Sequence, residues 1–255
     1  PIDGASVSIS YAGDPQDTLE QLTTDSNGMT EEIDLAAPPR SYSEYPLSDV
    51  QPYSEYNLII TAPGYEPTTI SGSEIFSGEL SVQPVRLNPV LPNASASVIN
   101  IPANTLWGVF PPKIPEDEIK PVRSSGEIVL SRVVIPEYIV VHDGVPSDSS
   151  ATDYYVRYAD YIKNVASSEI YSTWPEATLR ANITAIMSFT LNRVYTEWYR
   201  NKGYDFTITT STAYDHKWIY GRNIFDSISR IVDEIFANYI SRPNVKQPIL
   251  TQYCD

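Results

Sequence analysis

Apolar residues alternate with small or polar ones over Ala5-Ser-Val-Ser-Ile-Ser-Tyr11, the period of two that a half-buried strand requires. Tyr56-Asn-Leu-Ile-Ile-Thr61 predicts a second strand, closed by the Pro63-Gly64 turn and Tyr65. A third is predicted over Ser81-Val-Gln-Pro-Val-Arg-Leu87, where Pro84 favours an edge because it has no N–H to offer a neighbouring strand. Asp25-Ser-Asn-Gly28 reads as a turn, since Asp and Asn bond their own backbone and Gly accepts a positive φ. Short strands, turn signals and no helical period over residues 1–90 predict a small all-β sandwich.

Residues 91–152 are rich in Pro and Ser, with β runs at Ile128-Val-Leu-Ser-Arg-Val-Val134 and Tyr138-Ile-Val-Val-His142 and a loop from Gly144 to Ala151. From Asp160 the period becomes helical. Asp160 reads as the N-cap of a first helix through Glu169. Thr173-Trp-Pro-Glu176 reads as a capping box that opens a second, with proline inside the first turn. Leu179, Ile183, Ile186, Met187, Val194 and Trp198 recur at three- and four-residue spacings as its buried face, and Gly203 ends it after the basic Arg200 and Lys202. A strand follows at Tyr204 to Thr210. A third helix is predicted from about Asn223 to Ile240, with Ile228, Ile231, Val232, Ile235 and Phe236 inward and Pro243 as its stop. The expected organisation is a two-module chain: an all-β sandwich at 1–92, a Pro-rich connector at 93–127 and an α+β module at 128–255.

Charge sharpens that division. The chain of 255 residues carries a formal charge of -15, and residues 1–100 hold fourteen acidic side chains against Arg40 and Arg86 alone. Residues 101–255 hold eighteen acidic against fifteen basic, and the first lysine is Lys113. So acidic a first half reads as a soluble spacer, while the near-neutral remainder can approach an anionic polymer. The acidic surplus argues against nucleic-acid binding, which draws on Lys and Arg to hold phosphates. No run of about 18 apolar residues exists to span a membrane as a helix. Two distant histidines, His142 and His216, and one cysteine exclude a zinc finger or a disulfide-stapled scaffold, and no pattern asks for a metal or cofactor. The chain begins at Pro1 without initiator Met, basic n-region or apolar h-region, which marks it as processed or excerpted.

The candidate chemistry lies where the first helix gives way to the second. Glu169 is flanked there by Val165, Ile170, Tyr171 and Trp174. A carboxyl in apolar company is expected to titrate high, because desolvation disfavours its charged form, and a carboxyl still protonated near neutrality can hand a proton to a leaving oxygen. The neighbouring aromatics can stack on sugar rings. An exposed helix-end glutamate beside an ordinary hydrophobic cluster fits the same residues.

The segment Tyr161-Ile-Lys-Asn-Val-Ala-Ser-Ser-Glu169, the bend, and Trp174-Pro-Glu-Ala-Thr-Leu-Arg180-Ala181 resemble the catalytic region of the stage II sporulation protein D family. Thr196-Glu-Trp-Tyr-Arg200 and Ser211-Thr-Ala-Tyr-Asp-His-Lys-Trp-Ile-Tyr-Gly221 extend the resemblance over residues 128–255, nearest to the clostridial spore cortex-lytic branch. In that branch a carboxypeptidase regulatory-like (transthyretin-like) sandwich precedes the module. Pro1-Ile-Asp-Gly-Ala-Ser-Val7, Thr24-Asp-Ser-Asn-Gly28, Tyr56-Asn-Leu-Ile-Ile60 with Gly64-Tyr65, and Val85-Arg-Leu87 resemble such a sandwich, usually a non-catalytic spacer.

The resemblance implies a lytic transglycosylase acting on peptidoglycan glycan strands in the spore cortex or cell wall, outside the cytoplasm. Its acid and base would be Glu169, with Arg180, Trp174, Tyr171, Asp215, His216 and Tyr220 as substrate contacts. A cortex-lytic assignment further implies a proenzyme with a processing protease as partner. Two departures stand out. Met187 occupies a position usually held by Arg in the family, and the chain stops at Thr251-Gln-Tyr-Cys-Asp255, short of a family segment in which Cys254 would find a partner. An N-acetylmuramoyl amidase is disfavoured by the two histidines, and a non-catalytic wall-binding protein is the remaining alternative.

Overall fold

Val7 and Ile9 on one strand share an apolar face with Leu22 and Ile60 on its two neighbours and Ile70 one strand further on, and this face assembles the first sheet. The structure, a computed structural model, describes residues 1–45, 48–92, 95–104, 106, 110–120 and 132–252; the expected run at 128–134 falls outside these up to residue 131, as does Cys254. Contacts divide the chain into two compact units, Pro1–Thr105 with Tyr220–Asp226, and Leu106–Ile219 with Ser227–Asp255. Together they make an α+β chain.

In the first unit, β1 (Ser6–Tyr11), β2 (Asp14–Thr23), β3 (Tyr53–Thr61), β4 (Thr68–Phe76) and β6 (Ser97–Asn100) form a five-stranded sheet in the order β2-β1-β3-β4-β6. Only the β4–β6 pair is parallel. A four-residue helix, α1 (Ser41–Glu44), lies between β2 and β3. Val7, Ile9, Leu22, Tyr56, Ile60, Ile70 and Ile101 make the core, while Ser6 and Ser8 on the opposite face bond Gln21. The β3–β4 register shifts beside Gly72, where φ is 86° and a Cβ would collide with the Ile101 carbonyl oxygen, so only glycine fits. The turn at Asp25 forms as expected, its carboxylate accepting from the Asn27 and Met29 N–H groups.

The same unit contains a two-stranded ribbon of β5 (Ser81–Val82) and β10 (Ile224–Phe225). Phe225 packs edge-on against Phe76 at 5.2 Å, and Phe76 against Tyr53. Beside them Glu74 and Arg222 form a fully buried ion pair. Asn104 N–H donates to the Glu74 carboxylate at 2.9 Å, and the Asn223 side chain donates to the Glu74 carbonyl at 2.7 Å. Residues 223–225, expected to open a helix, are therefore extended.

In the second unit, β7 (Tyr138–His142) pairs antiparallel with β8 (Asp153–Arg157) and parallel with β9 (Ile208–Thr209). β8 runs directly into α2 (Tyr158–Glu169), and α3 (Glu176–Thr196) and α4 (Asp226–Ile235) follow. α3 has an exposed first turn but is buried nearly all round from Ile186 to Arg193, with Leu179 and Ile183 also inside, so its later half is central rather than a surface helix. Its polar members are satisfied: Ser188 donates to Ile240 O, Asn192 to Pro248 O and Thr190 to Ile186 O.

The expected capping box does not form. Pro175 is the N-cap with no side-chain hydrogen bond, and its carbonyl accepts from Thr178 and Leu179 N–H. Glu176 pairs instead with Arg180, one turn on. α3 also stops earlier than expected, at Thr196, with Glu197 left-handed at φ 45°; Gly203, at φ 86°, closes the short 3-10 turn Arg200–Lys202. α4 ends at Ile235, before Pro243, and Phe236 is exposed.

Candidate active site

Glu169 is the last residue of α2. Ile170 leaves the helix in an extended conformation, φ -136° and ψ 156°, and a turn at Tyr171–Trp174 carries the chain to Pro175 and α3. Glu169 is half-buried at this bend, next to Ile170 and Tyr171, which are buried, and Trp174, which is half-buried. Its Oε1 accepts the backbone N–H of Lys217 at 2.6 Å.

The strand of chain that supplies this N–H is stapled to α2. Asn164 receives the Ile219 N–H at 2.9 Å and donates to the Ile219 carbonyl at 2.7 Å, imitating one rung of a β-ladder. One residue before Lys217, His216 shares a 3.2 Å hydrogen bond with the Tyr161 hydroxyl and packs against Phe189 at 4.4 Å. Burial, followed by the charges of Asp215 and Glu169, pushes the Tyr161 phenol well above its usual range. Burial, followed by Lys113 and Arg193, pulls the His216 imidazole well down. A protonated phenol and a neutral imidazole thus line the inner side of the Glu169 bend.

Asp215 is fully buried and reaches three elements. Its Oδ1 accepts Arg193 Nε at 2.6 Å; its Oδ2 accepts the Tyr199 hydroxyl at 2.6 Å, Thr209 N–H at 2.9 Å and Thr209 Oγ1 at 2.7 Å. Arg193 continues the network as a bidentate pair with Glu116 at 2.6 and 2.7 Å and a donor to the Tyr214 carbonyl. Lys120 joins Glu116 at 3.0 Å and stacks over Trp198 with Lys202 on the same ring. Residues 113–120 are thereby docked in this unit, with Ile114 N–H on the Ala213 carbonyl and Lys113 Nζ on the Asp215 carbonyl.

The remaining expected contacts are spread out. Tyr171 is buried and meets Trp174 edge-on at 5.8 Å, so it backs the tryptophan rather than offering a face of its own. Arg180 is partly exposed on α3 and bonds Glu176 at 2.8 Å and Glu234 at 2.5 Å. Asp215 and His216 are inside the unit, so anything they do for a substrate passes through the loop they fix. Tyr220 is exposed and belongs to the first unit. Met187 is fully buried within α3. His142 bonds Asp153 at 2.7 Å and stacks on Phe206 at 4.3 Å, a structural arrangement.

Sequence reasoning passed over Asn164, Arg193, Tyr199 and the Lys217 N–H. Arg193 left one usable signal, the only charged side chain between Ala181 and Thr196 of a long helix, which calls for buried carboxylates if that stretch is interior. A main-chain donor leaves none. No family model matches the chain, and neither a curated protein nor a solved structure matches it.

Proposed function

We propose that the chain is a peptidoglycan lytic transglycosylase with Glu169 as its acid and base. One observation carries the reading: a half-buried carboxylate at a helix–helix bend, with one oxygen oriented by the Lys217 N–H. A carboxyl fixed in this way needs little reorganisation to meet a reacting atom. Glu169 protonates the glycosidic oxygen between muramic acid C1 and the glucosamine that leaves. Its carboxylate then takes the proton of the muramic 6-hydroxyl as that oxygen closes on C1. The 1,6-anhydro ring forms, the glucosamine leaves with a free hydroxyl, and no water is consumed. One group performing both transfers is the economy that distinguishes this route from the acid-plus-nucleophile pair of retaining glycosidases.

Trp174, partly exposed against a buried Tyr171, provides an aromatic surface for a sugar ring. Arg180 meets a muramic carboxylate only by exchanging one of its present carboxylate partners. The substrate is glycan of the spore cortex or cell wall, the setting is extracytoplasmic, and the first unit, a regulatory-like β module, serves as a spacer processed with the proenzyme. A second reading, a wall-binding protein without turnover, is favoured by that double engagement of Arg180 and by Met187 in the interior.

Digestion of purified glycan strands with mass spectrometry separates the two. Glu169→Gln keeps the shape and removes the proton, so anhydromuramic ends should fall at least a hundredfold while circular dichroism stays unchanged. Release by the variant at the wild-type rate defeats the assignment, and glycan binding without products supports the second reading.

A further inference from the structure

The cluster of Glu116, Lys120, Arg193 and Asp215 is a costly way to hold a fold together. Four charges lie inside the second unit with side chains at 3, 2, 0 and 0% exposure. Replacing such a network by apolar packing of the same volume is often neutral or stabilising. What charges and hydrogen bonds supply in its place is fixed direction. Here the direction is spent on one short stretch of backbone. Asp215 is gripped from α3 by Arg193, from the turn after α3 by Tyr199 and from β9 by Thr209. His216 is held to α2 through Tyr161, and Lys217 N–H is the donor on Glu169. Three consecutive residues are thus tied to four elements, and the third of them orients the carboxylate.

We propose that Asp215 and Arg193, braced by Glu116, are positioning residues for Glu169, acting through the Lys217 N–H and without touching substrate. The proposal rests on the reading of Glu169 as the acid and base, but its mechanical half is independent of it. A network that only holds the fold predicts lower stability with an unchanged turnover in the folded fraction. A positioning network predicts a lower kcat at unchanged KM, because bound glycan still docks and only the proton donor is misplaced.

The test uses the whole chain with Asp215→Asn, which keeps the shape and removes the charge, at a temperature where it is fully folded. We expect kcat for anhydromuramic release to drop at least tenfold with KM within twofold, and hydrogen exchange at the Lys217 amide to accelerate at least tenfold while amides within α2 keep their rates. Wild-type values for both kcat and Lys217 exchange overturn the proposal. Should Asp215→Asn fail to fold, Tyr199→Phe removes a single donor and is judged by the same two readouts, with a three- to tenfold effect expected. If the wild-type chain releases no anhydromuramic product at all, the functional reading has failed. The Lys217 amide then decides the positioning claim alone: acceleration supports it and no change overturns it.

Discussion

His216 has 1% of its surface exposed, and desolvation, with Lys113 and Arg193 adding to it, keeps its imidazole neutral well below the ordinary value of 6.5. The unfolded chain binds that proton as the pH drops through 6.5, and the folded chain does not. The stability contributed by the neutral ring is therefore complete above about pH 6.5 and is lost on acidification. Glu116 works in the same sense lower down. Desolvation pushes its carboxyl up, but the hydrogen bonds and charge of Arg193, with the charge of Lys120, hold it below the ordinary 4.5. Its contribution is present above that value and disappears as the pH falls through the lower folded one. Urea unfolding of the wild type should show stability falling between pH 6.5 and 5 by up to about 1.4 kcal/mol per pH unit for one proton. His216→Gln should flatten that slope. An unchanged slope in the variant would remove His216 as its source.

Among the elements, the end of α3 holds a strained residue. Glu197 sits left-handed at the C-terminus of α3, with its N–H on the Arg193 and Val194 carbonyls. A non-glycine residue there is strained by roughly 1 kcal/mol, part of which glycine gives back through its looser unfolded chain. Glu197→Gly should accordingly raise stability by about 0.5 kcal/mol, seen as a higher urea midpoint at constant m-value. A lower midpoint would mean that the glutamate side chain contributes more than its backbone costs. Legibility at this scale followed periodicity. β1 alternates and β3 carries the apolar run Leu58-Ile59-Ile60 before a Pro-Gly turn, so both were readable, whereas β2, nine of whose ten residues are exposed, gave no alternation to read. β4 is interrupted by its bulge at Gly72. Ile224 and Phe225 continue the apolar period of α4 in the sequence, yet pairing with Ser81 and Val82 draws them into a ribbon.

For the molecule as a whole, the first unit is built from two stretches of chain that sequence order separates. The pair it buries, Glu74 and Arg222, lies 148 positions apart. Such a pair is invisible to local pattern, and so was the Asp215–Arg193–Glu116 network behind the candidate site. What could be read was the bend itself, because Glu169 and the Trp174-Pro175 start of the next helix are contiguous. Arg222→Met should destabilise the first unit by about 3–5 kcal/mol, since it strands a carboxylate in the interior. Glu74→Leu combined with Arg222→Met should recover most of that loss. If the single change costs nothing in thermal unfolding, the buried pair does not brace this unit.

The claim on which the functional account stands is that one carboxylate moves both protons and that no water enters the product. Digestion of glycan strands in water enriched in oxygen-18 measures this directly. The account predicts 1,6-anhydromuramic ends carrying no label from the wild-type chain, and none of these ends from Glu169→Gln. Label at muramic C1, or equal release by the two proteins, would contradict it.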